Sequence, residues 1–93
     1  MGQFLTANAD GRFSVEFDET AGTGYRWTPV ALPSGIQLEG DEMTANPALG
    51  GGGRHVFHFS ASHLGLHQID FELKRPWEDQ AIKSHRVQVQ VGT

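Results

Sequence analysis

There is no cysteine in this 93-residue chain. That absence excludes a disulfide framework, a thiolate zinc site and a cysteine nucleophile. No apolar run approaches the roughly 20 residues of a membrane span, so no membrane partner is expected. Basic residues are scarce as well: seven Lys and Arg stand against eleven Asp and Glu, for a net charge of −4. Without a basic patch, nucleic acid is not an expected partner. A sustained 3.6-residue period is missing, and no helix caps precede apolar runs. Repeats and low-complexity tracts are absent too, apart from four consecutive glycines at Gly50–Gly53. The length fits a single domain, residues 1–93, which buries only a modest fraction of its surface.

The first six residues, Met1-Gly2-Gln3-Phe4-Leu5-Thr6, formally fit an N-myristoylation pattern. An ordinary start or a cloning remnant is the simpler reading. The segment lacks the basic-then-apolar layout of a secretory leader. Location stays open: periplasmic or secreted if a leader has been removed, intracellular otherwise.

What the chain has in quantity is alternation. Phe13, Val15 and Phe17 alternate with Ser14, Glu16 and Asp18, the period of a strand with one wet face and one buried face. Thr20–Gly24 interrupts with small residues and two glycines, a loop signal. Extended chain resumes at Tyr25–Thr28, with Tyr25 and Trp27 on one face and Pro29 and Pro33 limiting its run. After a turn at Ser34-Gly35, Ile36–Glu39 reads as a short strand. Residues 40–53 read as the longest loop, with a brief strand around Met43. Strands follow at Arg54–Ala61, His67–Lys74 and Arg86–Val91, separated by a turn at Ser62–Gly65 and a loop at Arg75–Asp79. About seven short strands of this kind predict an all-β antiparallel sandwich. The inward set is Phe13, Val15, Phe17, Trp27, Ile36, Leu38, Phe57, Phe59, Ile69, Phe71, Leu73, Val87, Val89 and Val91. Trp27 is the expected central aromatic. Each burial contributes about 1.5–3 kcal/mol, much of it offset by chain entropy.

If the strands run up and down in turn, three loops reach the same end. They carry Thr23-Gly24-Tyr25-Arg26-Trp27, Gly50-Gly51-Gly52-Gly53 and Arg75-Pro76-Trp77. Loops gathered on a rigid frame in this way form a binding surface.

At these residues the chain resembles the chagasin family, immunoglobulin-like inhibitors of papain-type cysteine peptidases. The family's first loop, Asn-Pro-Thr-Thr-Gly-Tyr/Phe followed shortly by Trp, is matched by Thr23, Gly24, Tyr25 and Trp27. Its Gly-x-Gly-Gly loop is matched by Gly50, Gly52 and Gly53, and its Arg-Pro-x loop with an aromatic by Arg75, Pro76 and Trp77. The resemblance implies an immunoglobulin-like sandwich that blocks a peptidase cleft reversibly and competitively. It implies no cofactor, no metal and no catalytic residue, and the expected state is a monomer. The chain departs from the pattern at Thr20-Ala21-Gly22, where the family has Asn-Pro-Thr. Losing a loop proline and gaining a glycine each cost about 0.4–1 kcal/mol of loop order.

The resemblance assigns each motif a task. Thr23 and Gly24 enter the catalytic centre, where a short hydroxyl bonds near the catalytic His and glycine allows close approach. Gly50–Gly53 lies along the cleft with bare backbone, in the manner of strand addition. Trp77 lays its ring on the cleft wall, and Arg75 pairs with a carboxylate or with backbone carbonyls. Taken one at a time, the first two motifs also read as ordinary surface loops.

The five histidines show no ligand spacing, and His55 and His58 fall on opposite faces of their strand. A Ser-His-Asp set from Ser60, His58 and Asp70 can be written down, but no nucleophile elbow specifies it. An enzyme therefore ranks last. The runner-up is an immunoglobulin-like adhesion or ligand-binding module with no peptidase target.

Overall fold

The alternation becomes seven strands in a computed structural model that describes residues 2–20, 23–45 and 52–92. In chain order they are β1 (Gly2–Thr6), β2 (Arg12–Thr20), β3 (Arg26–Ala31), β4 (Ile36–Ala45), β5 (Gly52–Ala61), β6 (Gly65–Lys74) and β7 (Lys83–Val91). They form a four-stranded sheet, β1-β7-β6-β3, and a three-stranded sheet, β2-β5-β4. No α-helix occurs among the described residues. The two sheets make the expected all-β, immunoglobulin-like sandwich. Every neighbouring pair is antiparallel except β1 with β7, which is parallel.

Period-two patterning does what it must. Phe13, Val15 and Phe17 turn inward from β2 while Ser14, Glu16 and Asp18 stay exposed. They meet Phe57 and Phe59 of β5 and, from the other sheet, Trp27, Ile69, Phe71, Val87, Val89 and Val91. Phe71 is fully enclosed and touches rings from both strands opposite, with centroids 4.8 Å from Phe17, 5.4 Å from Phe57 and 6.0 Å from Phe59. Trp27 stacks on Phe17 at 4.5 Å and 19°, so the expected central aromatic is central. Every residue of the inward set is buried except Leu38 and Leu73, which pack half-buried against the core.

Four local features differ from the sequence reading. The first six residues supply β1, whose Leu5 lies opposite Val89 and packs on the core. One inward apolar residue in a short, glycine-containing strand leaves almost no alternation to read. Strand β4 runs on to Ala45 and absorbs most of the supposed loop, including Met43. An extra residue, Glu39, sits between the pairs Leu38↔Phe59 and Gly40↔His58. That β-bulge breaks the period in the middle of the strand and hides its second half. Likewise Gly52 and Gly53 are strand, not loop, because they pair with Thr20 and with Glu19 and Ala45. Glycine carries no side chain to announce a face, so backbone pairing alone decides its state. Finally, β3 continues through Pro29 to Ala31. It is the edge of its sheet, where a missing N–H costs no ladder bond.

The enclosed ring of Phe71 generates a stability prediction. Phe71→Ala lowers unfolding free energy by about 3–5 kcal/mol, the range for a phenyl ring lost from a closed core. Urea denaturation followed by tryptophan fluorescence measures it; a loss below about 1 kcal/mol would mean that the two sheets do not close on this ring.

Candidate functional site

The register places the loop ends. Thr20↔Gly52 and Ala45↔Gly53 bring the close of β2, the close of β4 and the start of β5 together. In the other sheet, Arg26↔Lys74 and Leu73↔Lys83 do the same for β3, β6 and β7. Glu19 joins the two groups. Its Oε2 accepts the Trp27 N–H at 3.1 Å, and its Oε1 lies 3.6 Å from the Arg26 guanidinium. The three connections that carry the motifs therefore leave from one pole.

At that pole the first and third motifs touch. Pro76 and Trp77 occupy the middle of a β-turn closed by the Glu78 N–H donating to the Arg75 carbonyl at 3.0 Å. Proline at the first central position suits that turn, since its φ is preset. Across from it, the Tyr25 N–H donates to Thr23 Oγ1 at 3.3 Å, a local side-chain turn. Arg75 bridges the two. Its Nε–H donates to the Thr23 carbonyl at 3.0 Å, and its guanidinium lies 4.3 Å from the Tyr25 ring centroid and 5.8 Å from that of Trp77. Those distances are within the reach of cation–π attraction.

Gly24 shows why no larger residue fits. Its φ is +80°, a conformation that costs an L-residue about 1–2 kcal/mol. A Cβ there would sit 3.0 Å from Trp77 Cη2. The indole thus covers the glycine on one side and is otherwise open, 72% exposed. The result is a tip of an exposed indole, a guanidinium close to two aromatic rings, and bare backbone.

The sequence-derived residues divide accordingly. Thr23, Gly24, Tyr25, Arg75, Pro76 and Trp77 are brought together at this tip. Tyr25 and Trp27 do separate work: Trp27 goes into the core, while the Tyr25 ring faces Arg75. The Arg75 Nε–H is spent on its own chain. Gly52 and Gly53 lie at the root of the second connection, and Gly53 is paired on both sides because β5 is the central strand of its sheet. A backbone in that position has no free edge to offer. Gly50 and Gly51 lie outside the described residues, as do Ala21 and Gly22.

The paper triad does not assemble. His58 bonds Ser14 and Glu42, Ser60 bonds Glu39, and Asp70 pairs with Arg86 on the other sheet. Two residues at the pole were given no role by the sequence: Glu19, and His55, which was weighed only as a metal ligand. Both continue an inward row: Glu19 follows Phe13, Val15 and Phe17, and His55 precedes Phe57 and Phe59. Ionisable side chains in a core row were the available signal.

Comparison with known proteins decides the family. The model of chagasin family peptidase inhibitors, I42, matches residues 6–91. The chain belongs to the chagasin family. That is a family of inhibitors rather than enzymes. Two solved structures resemble the chain over 98% of its length, each at 20% identity. One is the cysteine protease inhibitor EhICP2 from Entamoeba histolytica, at TM-score 0.75 over 96% of its own chain. The other is amebosin, at TM-score 0.72 over 88% of its own chain. An endo-fucoidan hydrolase of glycoside hydrolase family 107 shares the fold over 12% of its own length, at 12% identity and TM-score 0.55. Comparison with curated proteins finds no match. At such identities the solved structures speak for the fold, and the family rests on the match over residues 6–91.

Gly24→Ala tests the packing of the tip. The substitution costs about 1–2 kcal/mol in folding stability from backbone conformation alone. It also displaces the indole, which a shift of the Trp77 side-chain N–H signal in a nitrogen–proton NMR spectrum reports. An unmoved signal and unchanged stability would show that Trp77 does not rest on Gly24.

Proposed function

We propose that this chagasin-family protein is a reversible, competitive inhibitor of papain-like cysteine peptidases, and that its loop pole fills the active-site cleft. One observation carries the assignment of the pole: Trp77 is 72% exposed yet held in place by Gly24 and Arg75. An indole that is displayed and already rests on its neighbours has less rotamer freedom to lose on binding.

The roles follow from this arrangement. Thr23 and Gly24 present a narrow backbone edge that reaches the catalytic centre. Trp77 lies flat on the cleft wall as the main hot spot. Arg75 is a positioning residue that clamps the first loop to the third. Strand addition along the cleft falls to Gly50 and Gly51, since Gly53 is already paired on both sides. No covalent bond to the peptidase's cysteine is required. An interface of about 1,600 Å² in total suffices for such a plug.

Titration into papain with a fluorogenic substrate tests the proposal. The expected result is saturable competitive inhibition at submicromolar concentration. Trp77→Ala weakens it by about 2–4 kcal/mol, the range for an interface hot spot, while folding stability stays within about 0.5 kcal/mol because the ring is exposed. An unchanged inhibition constant would remove Trp77 from the mechanism. No inhibition of papain or of several cathepsin-type enzymes would favour the ligand-binding module instead.

A further inference from the structure

We propose that Glu19 and His55 are positioning residues for the first inhibitory loop, and that they hold it through a doubly protonated His55. The inference rests on the inhibitory reading above, but its geometry stands apart from the binding tip. The Glu19 side chain is completely buried. Its Oε2 accepts the Trp27 N–H at 3.1 Å and also contacts His55 Nδ1. On the far side of the ring, His55 Nε2 lies 2.6 Å from Asp41 Oδ2. The imidazole itself is buried and stacked on Phe57, with centroids 4.1 Å apart.

Both ring nitrogens thus face carboxylate oxygens, which only accept hydrogen bonds when ionised. Two such contacts need two N–H donors, and only the imidazolium has both. A neutral ring would turn a lone pair towards one of the carboxylates. The stakes are high on the Glu19 side, where an enclosed carboxylate without a cation is costly. Arg26 gives partial help: its guanidinium is 3.6 Å from Glu19 Oε1, yet that oxygen accepts no hydrogen bond from the described residues.

The placement ties this network to the first loop. Glu19 is next to last in β2, and Arg26 and Trp27 open β3, so the carboxylate grips the chain on both sides of Thr23-Gly24-Tyr25. His55 in β5 and Asp41 in β4 extend the grip across the other sheet. With the imidazolium in place the loop roots are tied across four strands. With a neutral ring one of those ties is lost. Among the other ionisable groups near this pole, His85 on β7 packs edge-on to Phe17 and Trp27. Burial holds it below the ordinary histidine range. Its charging on acidification therefore opposes folding.

The test compares papain inhibition constants of wild type, His55→Gln and Glu19→Gln. The expected penalty for either variant is at least about tenfold, the size of one charge-assisted hydrogen bond. An unchanged inhibition constant in both variants would overturn the proposal. The ring nitrogen signals of His55 in wild type supply a signature that a merely structural role does not: both nitrogens carry a proton, and one bare nitrogen would overturn the imidazolium. A second arm needs neither peptidase nor variant: NMR titration of the wild-type protein follows the His55 ring together with the backbone amides of Thr23, Gly24, Tyr25 and Trp27. Those amides shift with the ring if the pair positions the loop. Amides that stay still while the ring changes charge would also overturn it. Failure of wild type to inhibit at any pH would count against the inhibitory reading, and the NMR arm would still decide the coupling.

Discussion

The stack of Phe17 on Trp27 joins the two sheets directly beneath the loop pole. Phe17 belongs to β2 and Trp27 to β3, strands that lie in different sheets and flank the first loop. Offset stacking of two large rings adds about 0.5–1.5 kcal/mol to the area they bury. Its larger effect is geometric. With the rings face to face, Glu19, two residues beyond Phe17, comes within hydrogen-bond reach of the Trp27 N–H. From that point the path of the first loop is constrained at both ends, and Gly24 arrives beneath Trp77.

Above this layer the tip is held by contacts that are individually weak. The Arg75 bond to the Thr23 carbonyl and the placement of its guanidinium close to Tyr25 and Trp77 are surface interactions. Such cation–π contacts contribute about 0.5–1 kcal/mol at exposed sites. They matter because they act on residues that would otherwise have to be ordered on binding. The chain thus separates two jobs that are often combined. Its core supplies the stability, and its short polar contacts supply the preorganisation. A small domain without disulfides can sustain a displayed indole only because the frame below is tightly interlocked.

Most of the frame was legible. Strict alternation announced β2, β6 and the end of β7, and it named nearly every core side chain correctly. Failures came where side chains are uninformative or the period slips. Leu5 is the one inward apolar residue of β1, Glu39 shifts the phase of β4, and Gly52 and Gly53 have no side chains to read. At the pole, alternating strand directions sort connections by parity, which is why the first and third motifs could be expected at one end, where they touch. The same reading foresaw no internal partner for Arg75 and gave Glu19 and His55 no role at the pole. Whether a polar group inside a core row finds partners depends on strands far away in sequence, and local pattern carries no trace of them.

By itself the sequence determined the fold class, the inward face of most strands, the pole at which the motifs emerge and the family. The first three follow from local periodicity, turn chemistry and the order of strands along the chain, and the family rests on the loop motifs and the match over residues 6–91. Only the tertiary structure decided that Arg75 serves the Thr23 carbonyl, 52 residues away, and that Glu19, His55 and Asp41 form one chain of contacts beneath the loops. Those pairings exist because two sheets close face to face at a definite register, and that register is a property of the whole sandwich rather than of any segment in it.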